Sequence, residues 1–154
     1  MYQKILVALD RSIITDQVFE TAVYLGKSFN AQINLVNVVS LEAISTTVGY
    51  ASFNLGDEVQ MLDDVQNYST RMVQESSETL LFLEKKAKEQ GIDVIHTQIY
   101  GDPAKAICQQ AKQWQADLIV MGRRGHSTVS ELFLGSVSSS VIHRCHCAVH
   151  LVQI

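Results

Sequence analysis

Five apolar runs, each separated from the next by a stretch of helical periodicity, constrain this 154-residue chain more than any other feature. Ile5-Leu6-Val7-Ala8-Leu9 is apolar without a break and ends at Asp10. A run of that length suits a strand covered on both faces, as in a parallel sheet. Val18, Ala22, Leu25, Gly26 and Phe29 then recur at helical spacing, which predicts a helix over 14–29. The second strand is expected over 33–39. Residues 41–57 are rich in Ser, Thr, Gly and Asn and read as a long, mobile connection. Helical spacing resumes near Val59, strengthens through Leu80, Leu83 and Ala87, and ends at Gly91, a natural stop. A third strand is expected over 94–99. Asp102-Pro103 then supplies an N-cap and a first-turn proline for a helix to about Trp114. Strand 116–121, helix 136–144 and strand 148–152 complete the pattern. Strict alternation of strand and helix predicts an α/β fold in one domain over 1-154: a five-stranded parallel sheet with right-handed crossovers and helices on both faces.

The fourth strand runs straight into Met121-Gly122-Arg123-Arg124-Gly125, and Gly135-Ser136-Val137-Ser138 opens the helix that follows. Glycines admit a ligand close to the backbone, and a helix starting near Gly135 offers unpaired N–H groups to an anion. The P-loop's Gly-Lys-Ser/Thr and the dinucleotide fingerprint are both absent. What stands is Gly-x2-Gly-x9-Gly-Ser, which is also compatible with two tight turns around a surface loop. In a 3-2-1-4-5 strand order the reversal falls between strands 1 and 4, where ligands of doubly wound sheets bind. Asp10 and the glycine loop would meet there, which favours the phosphate reading.

Composition limits the partners. A net charge of −4 without a basic block argues against nucleic acid. No apolar run approaches the roughly 20 residues of a membrane helix, and Met1-Tyr2-Gln3-Lys4 carries no leader pattern. A cytoplasmic chain is expected, with its three cysteines reduced.

Taken in order, Lys4-Ile5-Leu6-Val7-Ala8-Leu9-Asp10-x-Ser12, Gly101-Asp102-Pro103, Asp117-Leu118-Ile119-Val120-Met121-Gly122-Arg123-Arg124-Gly125, Gly135-Ser136-Val137-Ser138 and Cys147-Ala148-Val149 resemble the universal stress protein family from end to end. The resemblance implies a Rossmann-like fold of the adenine nucleotide alpha hydrolase-like type, a homodimer, and the branch that keeps the glycine signature and binds ATP. It implies backbone contacts from Val38 and Val39 to the adenine edge. Met121, Gly122 and Gly125 would lie along ribose and phosphate, with Gly135, Ser136, Val137 and Ser138 around the outer phosphates. Asp10 would take ribose hydroxyls or a phosphate-bound Mg2+; a cap of the first helix is the alternative. Two positions depart from the family pattern: Ala148 stands where proline is common, and Arg11 where residues are often small.

Other candidates are weaker. Arg123 and Arg124 are either steering charges or solvated side chains, and His126 is either a phosphate contact or exposed. His143, Cys145, His146, Cys147 and His150 are dense in metal-ligating atoms, but their spacing matches no zinc template and a helix-to-strand turn would scatter them. Trp114 reads as a packing residue. The leading expectation is a nucleotide-dependent stress-response switch or sensor that holds Mg-ATP. Slow ATP hydrolysis or self-phosphorylation is an alternative, although no water-positioning base or catalytic lysine stands out. A dimeric interaction module with a vestigial pocket is another, pairing strand 5 (Ala148 to Val152) with its own copy.

Overall fold

The computed structural model describes residues 1–10, 15–40, 58–123 and 134–153. Its elements are β1 (Lys4–Leu9), α1 (Thr15–Phe29), β2 (Gln32–Val39), α2 (Glu58–Glu89), β3 (Val94–Tyr100), α3 (Pro103–Trp114), β4 (Leu118–Gly122), α4 (Ser136–Arg144) and β5 (Ala148–Val152). The strands form one parallel five-stranded sheet in the order β3-β2-β1-β4-β5, as the alternating pattern requires.

Strand side chains alternate between the faces, so the sheet has a core layer on each side. Ile5, Val7, Leu9, Ile33 and Leu35 bury against Val18, Phe19 and Ala22 of α1 and Leu80, Leu83 and Ala87 of α2. Leu6, Val36, Ile119 and Met121 bury on the other side against Ala104, Ile107 and Ala111 of α3 and Val141 of α4. Gly26 allows α1 to lie close on the sheet: a Cβ there would sit 2.8 Å from Cδ1 of Ile33.

Local chemistry sets the element ends. Asp102 Oδ1 accepts from the Lys105 N–H at 2.8 Å, with Pro103 opening α3. Gly91, at φ +78°, turns the chain out of α2. The fourth strand starts at Leu118 and not at the expected 116 because two lead-in residues have other work. The Ala116 N–H closes α3 on the Ala111 carbonyl at 2.8 Å. Asp117 Oδ2 accepts from the Gln3 and Lys4 N–H groups at 2.8 and 2.9 Å, clasping the start of β1 to that of β4. These two bonds, Gln3's first, hold the Asp117 carboxyl below its usual range. Trp114 is a packing residue as expected; Lys4 Nζ bonds its carbonyl at 3.1 Å and lies 5.5 Å from its ring centroid.

The expectation of three reduced thiols is corrected. Cys108 on α3 and Cys145 at the end of α4 form a disulfide, with Cα atoms 5.3 Å apart. Their 37-residue separation conceals the fact that α3 and α4 pack side by side. Cys147 remains a half-buried free thiol, its pKa pushed up by burial.

Candidate functional site

The sheet's carboxyl edge builds the site. Leu9, the last residue of β1, pairs with Asn37 of β2, and Ala8 pairs with Met121 of β4. The ends of β2, β1 and β4 therefore lie side by side, with α1 and α4 leaving from opposite faces of the sheet. This is the reversal point at which a crevice opens.

On the β4 side, the Gly135 N–H donates to the Arg123 carbonyl at 3.0 Å, and the Arg123 N–H donates to the Val152 carbonyl at 2.8 Å. Gly135 is the N-cap of α4 and supplies no side-chain cap. The first turn of α4 contains no acidic residue, so nothing within that turn opposes the positive end of the helix dipole. Ser136 and Val137 occupy its first two positions, Ser136 exposed. Ser138 differs: its hydroxyl is buried and donates within the chain, 2.7 Å from the Arg123 carbonyl and 3.0 Å from that of Gly135. With its single proton so engaged, Ser138 fixes the turn and offers a ligand its N–H. Arg123 Nη1 donates to Gln153 Oε1 at 2.9 Å, directing the guanidinium toward the end of β5.

On the β1 side, Asp10 is exposed at the strand end. Thr15 Oγ1 donates to its carbonyl at 2.7 Å and lies 3.4 Å from its Oδ1. Helix α1 is described from Thr15 onward. A cavity of about 270 Å³ opens beside it, lined by Leu9, Asp10, Thr15, Asn37, Glu75, Ser76, Thr79 and Leu80. Val38 packs partly buried on the α3/α4 side of β2, and Val39 is buried.

The structure thus gathers Asp10, Val38, Val39, Met121, Gly122, Gly135, Ser136, Val137 and Ser138 at one sheet edge. Gly125, Arg124, His126, Arg11 and the 41–57 connection lie outside the described residues. Asn37, Glu75, Ser76 and Thr79 escaped sequence reasoning. Asn37 carried the usable signal, as one of two carboxamides, with Asn34, among the apolar residues of β2. The α2 residues gave none, since their approach to β1 and β2 is a tertiary fact. Among the described residues no three His, Cys, Asp or Glu side chains converge on a metal position. His143, His146 and His150 are exposed, and Cys145 is in the disulfide.

The family model for the universal stress protein family matches residues 1–153. The chain belongs to the universal stress protein family. Sll1388, a universal stress protein from Synechocystis sp. PCC 6803, is 34% identical over 152 residues, spanning 99% of this chain and 98% of the relative. YxiE, a universal stress protein from Bacillus subtilis, is 32% identical over 153 residues, spanning 99% and 100%. Among solved universal stress proteins, UspA from Lactobacillus plantarum superposes with a TM-score of 0.79 at 20% identity, covering 99% of this chain and 98% of its own. One solved in complex with cAMP gives 0.68 at 23%, covering 99% and 97%. One from Archaeoglobus fulgidus in complex with dAMP gives 0.66 at 18%, covering 99% and 98%. At these identities the structural likeness establishes the fold. No helix among the described residues is long and apolar enough to cross a membrane.

Proposed function

We propose that this universal stress protein is a single-domain cytoplasmic stress-response protein that binds ATP as Mg-ATP at the β1/β4 edge and acts as a nucleotide-dependent switch or sensor. One observation carries the reading: an uncapped, uncharged first turn of α4 is tied by Ser138 and Gly135 to the end of β4, beside Asp10. Free N–H groups at a helix start favour a phosphate. Structural neighbours bound to cAMP and dAMP support an adenine nucleotide as the ligand class.

The donor set suits Mg2+ carried by the phosphates. Asp10 is an exposed hard-oxygen ligand, and Mg2+ on a nucleotide takes one or two carboxylates while keeping its waters. The metal would neutralise phosphate charge; Ser136, Val137 and Ser138 would orient the phosphates through backbone N–H groups, while Gly135, its own N–H held by the Arg123 carbonyl, would leave room for them. Calorimetric titration of nucleotide-stripped protein with Mg-ATP, and separately with AMP, tests the reading. Saturable heat is expected, and none with either nucleotide removes it.

A homodimer through β5 (Ala148 to Val152) is a second reading. The Ala148 N–H is not on the open edge, since it donates to the Asp117 carbonyl at 3.2 Å. Residues alternate in direction along a strand, so Val149 and Leu151 carry the backbone groups on the outer edge of β5. A monomer at micromolar concentration in sedimentation would exclude the dimer.

A further inference from the structure

We infer that Asn37 selects the base: its carboxamide, fixed in one orientation at the cavity wall, recognises the exocyclic amino group of a 6-aminopurine and disfavours 6-oxopurines. This rests on the nucleotide reading above and adds to it the residue that would make the site specific for adenine.

Asn37 is 8% exposed, one of the few buried polar residues among those described. It occupies the row Leu9–Asn37–Gln98 across β1, β2 and β3, on the face where Ile33 and Leu35 are fully buried. Ser76 of α2, also buried, covers the same row and accepts from Gln98 Nε2 at 2.5 Å while donating to the Val73 carbonyl at 3.0 Å. Gln98 Nε2 also donates to the Val73 carbonyl, at 3.1 Å. Asn37 does not share in that pairing; its one side-chain bond among the described residues runs from Nδ2 to the Leu9 carbonyl at 3.0 Å. A carboxamide has two donors and an acceptor oxygen. One proton and Oδ1 are therefore left at the wall of the 270 Å³ cavity that Asn37 lines.

The Leu9 bond decides what can complete it. Turning the carboxamide over would bring Oδ1 against the Leu9 carbonyl oxygen, acceptor against acceptor. The site therefore presents a fixed acceptor with a donor beside it. Adenine's amino group donates to such an acceptor while an adjacent ring nitrogen accepts, the pairing by which Asn reads adenine elsewhere. Guanine and hypoxanthine place a carbonyl oxygen at the same point and meet Oδ1 with a second acceptor.

Position agrees. Asn37 on β2, Asp10 after β1 and the α4 turn after β4 lie in sequence along the sheet edge, in the order of base, ribose and phosphate in a nucleotide. The cavity falls just below the roughly 300–1,000 Å³ of pockets that enclose whole ligands, a size for one heterocycle.

The test is calorimetric titration with Mg-ATP, with Mg-ITP (which differs in having a 6-oxo base) and with inorganic tripolyphosphate. Wild-type protein is expected to favour ATP over ITP by about ten- to hundredfold. Asn37→Leu should bring ATP down to the ITP level while leaving ITP and tripolyphosphate unchanged. If that variant does not fold, Asn37→Thr, which suits a strand and lacks the paired donor and acceptor, should give the same collapse of the ratio. A preference for ATP that survives in a folded variant overturns the inference, as does a wild type that binds ATP and ITP equally; either leaves the nucleotide reading intact. A wild type that binds neither nucleotide removes that reading, and this inference with it.

Discussion

Ser136→Asp separates phosphate binding from helix stability because it should move the two in opposite directions. Ser136 is exposed at the first position of α4, behind a glycine that provides no side-chain cap, in a first turn without acid. A carboxylate there complements the helix dipole and should stabilise the fold by about 0.3–1 kcal/mol. For a chain of this size that corresponds to a Tm rise of roughly 1–4 °C. The same carboxylate would stand about 5 Å from a phosphate seated on the turn. Coulomb's law gives about 1 kcal/mol of repulsion per phosphate charge in water and about 3 kcal/mol at an effective dielectric of 20. Exposure of Ser136 favours the lower figure, and more than one phosphate charge is in range. The expected loss is about tenfold or more in Mg-ATP affinity, shrinking as salt is added. Ser136→Asn, neutral and of the same shape as the aspartate, is the control. Calorimetry and thermal unfolding on all three proteins complete the assay. If Ser136→Asp gains stability yet binds Mg-ATP as Ser136→Asn does, no phosphate sits at the start of α4.

Reducing the Cys108–Cys145 bond, or replacing both residues with serine, should lower stability by about 2–4 kcal/mol in urea titrations, the chain-entropy scale for a loop spanning 37 residues. Denatured but unreduced protein should show one free thiol, and three would remove the disulfide. Asp117→Ala should cost about 1 kcal/mol at pH 7, modest because the carboxylate is exposed. Folding lowers the Asp117 pKa, so this contribution is whole above the unfolded value of about 3.9 and disappears as pH falls through the folded one. Urea titrations of wild type and variant should therefore converge as the pH falls below the unfolded value and the folded carboxylate takes up its proton. Leu80→Ala should cost about 2–5 kcal/mol by the same assay, since Leu80 is 1% exposed under the sheet.

The sequence by itself determined the order of elements and which faces are apolar, because unbroken runs such as Ile5–Leu9 and helical spacing such as Leu80–Leu83–Ala87 are local patterns read at fixed periods. It also determined the cap at Asp102 and the stop at Gly91, where one residue's own chemistry ends or begins a helix. Family membership was legible too, carried by motifs whose order along the chain is itself the signal. Tertiary structure alone decided which distant groups meet. It brought Cys108 to Cys145, turned the Ala148 N–H inward to Asp117, and engaged the Ser138 proton on the Arg123 carbonyl. It likewise placed Asn37 at a cavity wall with one bond made and others open. Periodicity specifies which way a side chain faces, but a hydrogen bond needs its partner within about 3 Å. That distance is set only when strands take their register and helices settle onto the sheet.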